Sequence, residues 1–209
     1  MPVAVGGGGL LLLVGGLLYM GIAASGPPAE PGEKWESIVS REKSFAAYYP
    51  TGWGEPSNSG SAGSFVSVVW KGSKLARVSV DGSSTAGSIG DTAAAAERMA
   101  GGAVSIERTA DGALLEFFKN QTWLSKHPDY DETGMQYSYA FAKTKSVCTE
   151  YTCTKKVGLL PVKMKGMRWA SQQGDYGYHV VAECPEQHWE KFRPTALQIL
   201  GHVQLGGGF

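Results

Sequence analysis

The chain has 209 residues, 43% hydrophobic and 18% charged, which fits one globular domain plus a short additional segment. Lysine and arginine balance aspartate and glutamate, 19 against 19, so the basic excess of a dedicated nucleic-acid binder is missing and no nucleic-acid partner is expected. G-x-S-x-G, the phosphate loop, H-E-x-x-H and paired C-x-x-C are all absent from the sequence, so no cofactor is implied.

Residues 3–25, VAVGGGGLLLLVGGLLYMGIAAS, carry no charge. As a helix rising about 1.5 Å per residue they could cross a hydrocarbon core of roughly 30 Å. Three readings fit: an uncleaved transmembrane anchor, a signal segment cut after the small residues Ala23 and Ser25, or a buried or disordered Gly-Leu tail. The missing positive charge before the apolar run counts against the signal. Residues 1–25 are read as an anchor or signal segment, with the membrane as partner through residues 3–25. Charge fixes the orientation only weakly; the domain is expected outside the cytoplasm, membrane-anchored or secreted/periplasmic, since a short N-terminal tail carries nothing to translocate. Residues 26–34, GPPAEPGEK, read as a semi-rigid Pro/Gly linker. The folded domain is expected over residues 35–205.

Within it, SFAAYYP predicts a strand ended by Pro50. The next fourteen residues are rich in Gly, Ser, Pro and Asn and read as a loop. SFVSVVW and LARVSVD alternate and predict a hairpin across the turn KGSK, with Val66, Val68 and Trp70 on one side and Ala76, Val78 and Val80 on one face. The serine-rich GSSTAGS reads as a flexible loop, since no strand-to-helix elbow is expected there. Residues 90–102 predict a helix capped by Asp91 and Gly101, burying only alanines and Met99 and so lying close to the sheet. The stretch 103–125 is ambiguous: AVSIERT is compatible with a strand and GALLEFFKNQTW with a strand or a helix, and Leu114, Leu115, Phe117, Phe118 and Trp123 are expected to be mostly buried.

MQYSYAFA predicts a strand with Tyr137, Tyr139 and Phe141 on one face. KVGLLPVKMKGMRWASQ carries one or two strands with a turn at Gly166. YGYHVVAEC predicts a strand with Tyr178, Val180, Ala182 and Cys184 inward and His179, Val181 and Glu183 on the other side. Pro194 is expected to open the C-terminal helix, because an interior proline costs about 3 kcal/mol. Leu197, Leu200 and Val203 form its apolar stripe, and LGGGF is expected to fray.

The order of elements, with Tyr49, Pro50, Gly52 and Trp53 in an early Y-P-x-G-W and a final strand-to-helix run GYHVVAECPEQHWEKFRPTALQILGHV, resembles the PsbP-like family. The resemblance implies an α+β fold: an antiparallel β-sheet flanked by helices, an α/β/α sandwich. It also implies a binding or assembly subunit and no enzyme.

The residues themselves offer few reactive groups. Cys148 and Cys153 are candidates for a disulfide, which would need a turn at residues 149–152, since an odd offset along one strand points them to opposite faces. Cys184 and His188, four apart, are the alternative enzymatic reading, a thiolate beside a helix start. His127, Asp129, Asp131 and Glu132 are the alternative metal-binding reading. Lys143, Lys145, Lys155, Lys156, Lys163, Lys165 and Arg168 face only Glu150 in their stretch. They are the candidate contact for an anionic lipid surface or an acidic protein partner. The whole reads as a non-catalytic, membrane-tethered or exported binding domain.

Overall fold

Alternating apolar residues build one large antiparallel sheet, and its two faces take different helices. A computed structural model describes residues 34–53, 57–58, 64–69, 75–102, 104–121, 127–157 and 159–206. In chain order the strands are β1 (Trp35–Val39), β2 (Phe45–Pro50), β3 (Ser57–Asn58), β4 (Ser64–Val69) and β5 (Arg77–Ser83). Helices α1 (Ser84–Ala100) and α2 (Ala110–Gln121) follow, then β6 (Asp131–Glu132), β7 (Gln136–Ser138), β8 (Ser146–Val157), β9 (Leu160–Gln173) and β10 (Tyr176–Pro185). Helix α3 (Trp189–Gly201) and β11 (Gln204–Leu205) close the domain. Among these residues the large sheet runs β3-β4-β5-β10-β9-β8-β6, with β7 also on β8, and a small sheet runs β1-β2-β11.

On one face, Val80, Trp169, Val180, Ala182 and Cys184 pack with Trp189, Phe192 and Ile199 of α3 and with Phe45 of the small sheet. On the other, Val147 and Ala170 pack under Leu114, Leu115 and Phe118 of α2. This is the expected sandwich of helices about an antiparallel sheet. The inward set of β10 lies as its alternation requires, because a period of two leaves the strand no other way to bury Val180 and Cys184 together.

Several expectations are corrected. AVSIERT holds a 3-10 turn, Ile106–Arg108, and no strand; the ambiguous stretch after it is the helix α2. GSSTAGS is no loop, for β5 runs straight into α1 with Ser83 as N-cap, so the helix starts well before Asp91. Gly101 does cap it, in the left-handed region at φ 61°. Met99 is 86% exposed. The helix approaches the sheet at Gly90, where a Cβ would run into the Gln172 side chain. The strand expected over residues 135–142 shrinks to β7: Tyr137 and Tyr139 are exposed and only Phe141 is buried. Ala142 and Lys143 then both turn left-handed, at φ 50° and 55°, which ends any extended run.

Pro194 lies inside α3 and does not open it. It forfeits one helical hydrogen bond close to the helix start, and burial of Trp189 and Phe192 offsets the loss. Leu205, expected to fray, pairs with Phe45. Residues 3–25, most of the 26–34 linker, Trp70, KGSK and Trp123 lie outside the described residues.

The turn expected at Gly166 is absent, and β9 runs through that residue without a break. Tyr151, Gly166 and Glu183 are direct cross-strand partners on β8, β9 and β10. A Cβ on Gly166 would meet the Tyr151 ring at 2.7 Å. The glycine is a bare patch over which the ring lies to bring its hydroxyl to Glu183, donating at 2.7 Å to Oε2. Gly166→Ala is expected to lower stability by about 1–3 kcal/mol by displacing that ring, and Tyr151→Phe by about 1–2 kcal/mol by leaving a buried carboxylate oxygen short of a donor. Urea unfolding of each variant checks both; an unchanged midpoint for Gly166→Ala would show that the ring is free to move.

Candidate functional site

Two closed groups of charges lie on the α2 face of the sheet. Glu183 is fully buried and accepts from Arg77 Nε at 2.8 Å, Lys155 Nζ at 2.6 Å and the Tyr151 hydroxyl. Arg77 stands directly across from Glu183 on β5, so the pair follows from strand register. Burial opposes the carboxylate, but Lys155, Arg77 and Tyr151 together outweigh it and hold Glu183 below the usual carboxylate range. The second group centres on Glu132 of β6, which takes Arg168 at 3.0 Å, Lys119 of α2 and the Tyr130 hydroxyl. Arg168 also donates to the Leu115 carbonyl at 3.3 Å. Tyr130 and Tyr151 rings, 5.5 Å between centroids, join the two groups.

His179 lies in the same layer, its ring stacked on Phe118 with centroids 4.7 Å apart. Burial, with Arg168 nearby, pushes its pKa down to about 3. The imidazole is therefore neutral in the fold and performs no acid–base work near neutral pH.

The residues singled out in the sequence are scattered by the fold. Cys148 and Cys153 are free thiols in the uninterrupted strand β8, and the bridge proposed between them is not made. No turn brings them together, and their odd offset sends Cys148 into the α3-side core and Cys153 into a cluster with Tyr151 and Met164 on the other side. Cys184 is buried in the α3-side core, and burial, reinforced by Glu183, raises its thiol to about 12. A thiol at that value is protonated and inert. The acidic turn does not converge on one point. Asp129 accepts from the Thr154 amide at 3.1 Å, Asp131 faces outward, and Glu132 turns in to Arg168. Among the described residues no three His, Cys, Asp or Glu side chains gather as metal ligands.

The basic set also divides. Arg168 is fully buried and ion-paired, so it leaves the surface set. Lys143 and Lys145 lie at the start of β8, with Lys145 Nζ 4.0 Å from the Tyr137 ring centroid. Twelve residues of strand, about 40 Å, separate them from the far end. Only Lys155, Lys156, Lys163 and Lys165 come together, on the two arms of the β8–β9 hairpin.

That hairpin carries a surface the sequence reading did not pick out. Val157 pairs with Leu160 at its tip. Leu159 is 99% exposed, Leu160 71% and Val157 43%. The signal was present as an apolar VGLLPV run between lysines. It was masked by placing the turn at Gly166.

The sequence matches no known family profile and no curated protein. Its fold has solved likenesses. Cyanobacterial PsbP from Synechocystis is similar at 11% identity and a TM-score of 0.45, covering 88% of this chain and 99% of that one. LpqN of Mycobacterium tuberculosis, described as involved in cell envelope biogenesis, is similar at 7% identity and a TM-score of 0.45, covering 86% and 99%. A Bacteroides thetaiotaomicron structure is similar at 10% identity and a TM-score of 0.46 over 82% of this chain, which spans about half its length. The family resembled in the sequence is represented among these likenesses, and at these identities they concern fold alone.

His179 sets the sign of the acid response. Its folded value near 3 lies below an ordinary 6.5, so the unfolded chain takes up a proton the fold refuses, and stability falls as pH drops through 6.5 toward 3. Glu183 and Glu132, both lowered, add a further loss below the ordinary carboxylate range. His179→Phe is expected to remove of order 2 kcal/mol of the stability lost between about pH 7 and about pH 4.5. Urea midpoints at the two pH values check it; an unaltered difference would show that His179 is protonated in the fold.

Proposed function

We propose that this chain is a non-catalytic binding or assembly domain, held at a membrane or exported across it by residues 3–25. The observation that carries the non-catalytic half is the state of Cys184. The one nucleophile placed beside a helix start is sealed in the core and held protonated. The charged side chains next to it on the sheet point to the opposite face and are spent on one another around Glu183. A general base or nucleophile needs access and a matched pKa, and neither group supplies one. The export half rests on the uncharged length of residues 3–25.

Two measurements test the reading. A reporter enzyme active only outside the cytoplasm, fused after Phe209 of the full chain, is expected to be active in the native host. Activity of a cytoplasm-only reporter in its place would overturn the location. Cys184→Ser and His188→Gln, each checked for an intact thermal transition, are expected to support growth of a deletion strain as well as the natural chain does. Loss of that support with the fold intact would establish an enzyme. In mildly alkaline buffer the three thiols are expected to resist a disulfide reagent until the chain is unfolded, because burial raises all three.

A further inference from the structure

Strand β10 pairs with β9 only as far as Met164, opposite Pro185. On the other edge of the sheet, β6 pairs with β8 at Thr152, and Asp129 meets Thr154. Beyond those points the arms of the β8–β9 hairpin pair with each other alone, in the steps Lys155–Val162, Lys156–Pro161 and Val157–Leu160. The hairpin therefore overhangs the sheet by about 10–13 Å at roughly 3.3 Å per residue.

Its composition changes along that overhang. The tip holds Val157, Leu159 and Leu160, all exposed. Behind it stand Lys156, about 3 Å back, and Lys163, about 10 Å back, both exposed and both on the α3 side of the hairpin. Lys165, further back on the same side, lies 5.8 Å from the Trp189 ring centroid. Lys155, on the other side, is bound to Glu183. Residues 155–165 contain no aspartate or glutamate. The carboxylates in reach, Asp129 and Glu186, line a cleft with Lys163 and Met164, level with Lys163 and behind Lys156.

We propose that this hairpin tip docks on an anionic phospholipid bilayer, Val157, Leu159 and Leu160 entering the interfacial zone and Lys156 and Lys163 meeting the lipid phosphates. A convex tip with fully exposed leucines has no flat face to offer a globular partner, whereas a fluid bilayer closes around it. The spacing fits. The interfacial zone of one leaflet is about 5–8 Å deep, so lysines 3–10 Å behind the leucines lie at headgroup level. Their long stems let the ammonium groups adjust to the phosphate plane. The charge fits as well, since the cationic tier is open and the anionic leaflet attracts each lysine near it. Pro161 has no N–H to offer and Lys156 stands across from it, so the free arm is a poor template for strand addition by another chain. The inference goes beyond the reading above and does not depend on residues 3–25.

The test keeps the two apart. Full-length Leu159→Cys chain carrying an environment-sensitive fluorophore at that position is mixed with vesicles of phosphatidylcholine, with or without phosphatidylglycerol. The native thiols are buried and leave position 159 as the site of labelling. Blue-shifted, brighter emission on the phosphatidylglycerol vesicles, reversed by salt and absent at a label placed on exposed Met99→Cys, supports the proposal. Leu159→Asp with Leu160→Asp, and separately Lys156→Glu with Lys163→Glu, are expected to weaken salt-sensitive vesicle binding at least about tenfold with an unchanged thermal transition. A chain that floats with both vesicle types while the label at 159 keeps its aqueous emission overturns the tip and leaves the tether standing. Flotation on phosphatidylglycerol vesicles alone, with the shift at 159, supports the tip and removes the tether. No flotation on either overturns both.

Discussion

Glu183 is a full negative charge in the middle of an antiparallel sheet, with no solvent contact, and the surrounding structure is arranged to tolerate it. An isolated carboxylate there would cost several kcal/mol. Three donors remove that cost, and they come from two strands: Arg77 from β5, and Tyr151 and Lys155 from β8. For Tyr151 to reach across an intervening strand, the strand must present nothing in between. Gly166 is that gap. Strand register, a glycine in the longest strand and the turnless course of β8 are thus consequences of one buried charge. Replacement by apolar residues could be as stable; the distinctive effect of the present arrangement is to fix register, because a slip of one residue would separate every partner at once.

The same arrangement occupies the charged groups of this face with one another. Glu183 and Glu132 each bind two cations and a tyrosine hydroxyl, so their pKa values fall and they remain spectators. His179, the one imidazole of the layer, is kept neutral by burial under Phe118. On the opposite face Cys184 serves as a small apolar residue beneath α3. Outside both faces stands an overhanging hairpin whose apolar tip is exposed.

Much of the architecture was legible. The period-two pattern of residues 64–69, 77–80 and 176–184 placed three strands and the inward faces of the last two, and the Gly101 cap ended α1 where expected. The errors share a cause. Gly166, Pro194 and the serines at 83–88 are local signals for turns, caps and loops, and each was overruled by packing: a tyrosine ring, a pair of buried aromatics, and a strand running directly into a helix. The polar groups were illegible for a different reason. Arg77 and Glu183 stand 106 residues apart, and no spacing rule connects residues at that distance.

By itself the sequence determined several strands, the uncharged apolar stretch of residues 3–25, the lysine-rich stretch and the absence of any recognised catalytic motif, because these depend on composition and short-range periodicity; the class of the fold came through the family resemblance. Tertiary structure alone decided which lysines share a surface, that Arg168 is buried, that the cysteines stay apart, and that two leucines stand clear at a hairpin tip. Those facts depend on register between strands distant in the chain, where a shift of one residue exchanges inside for outside, and no local pattern carries that information.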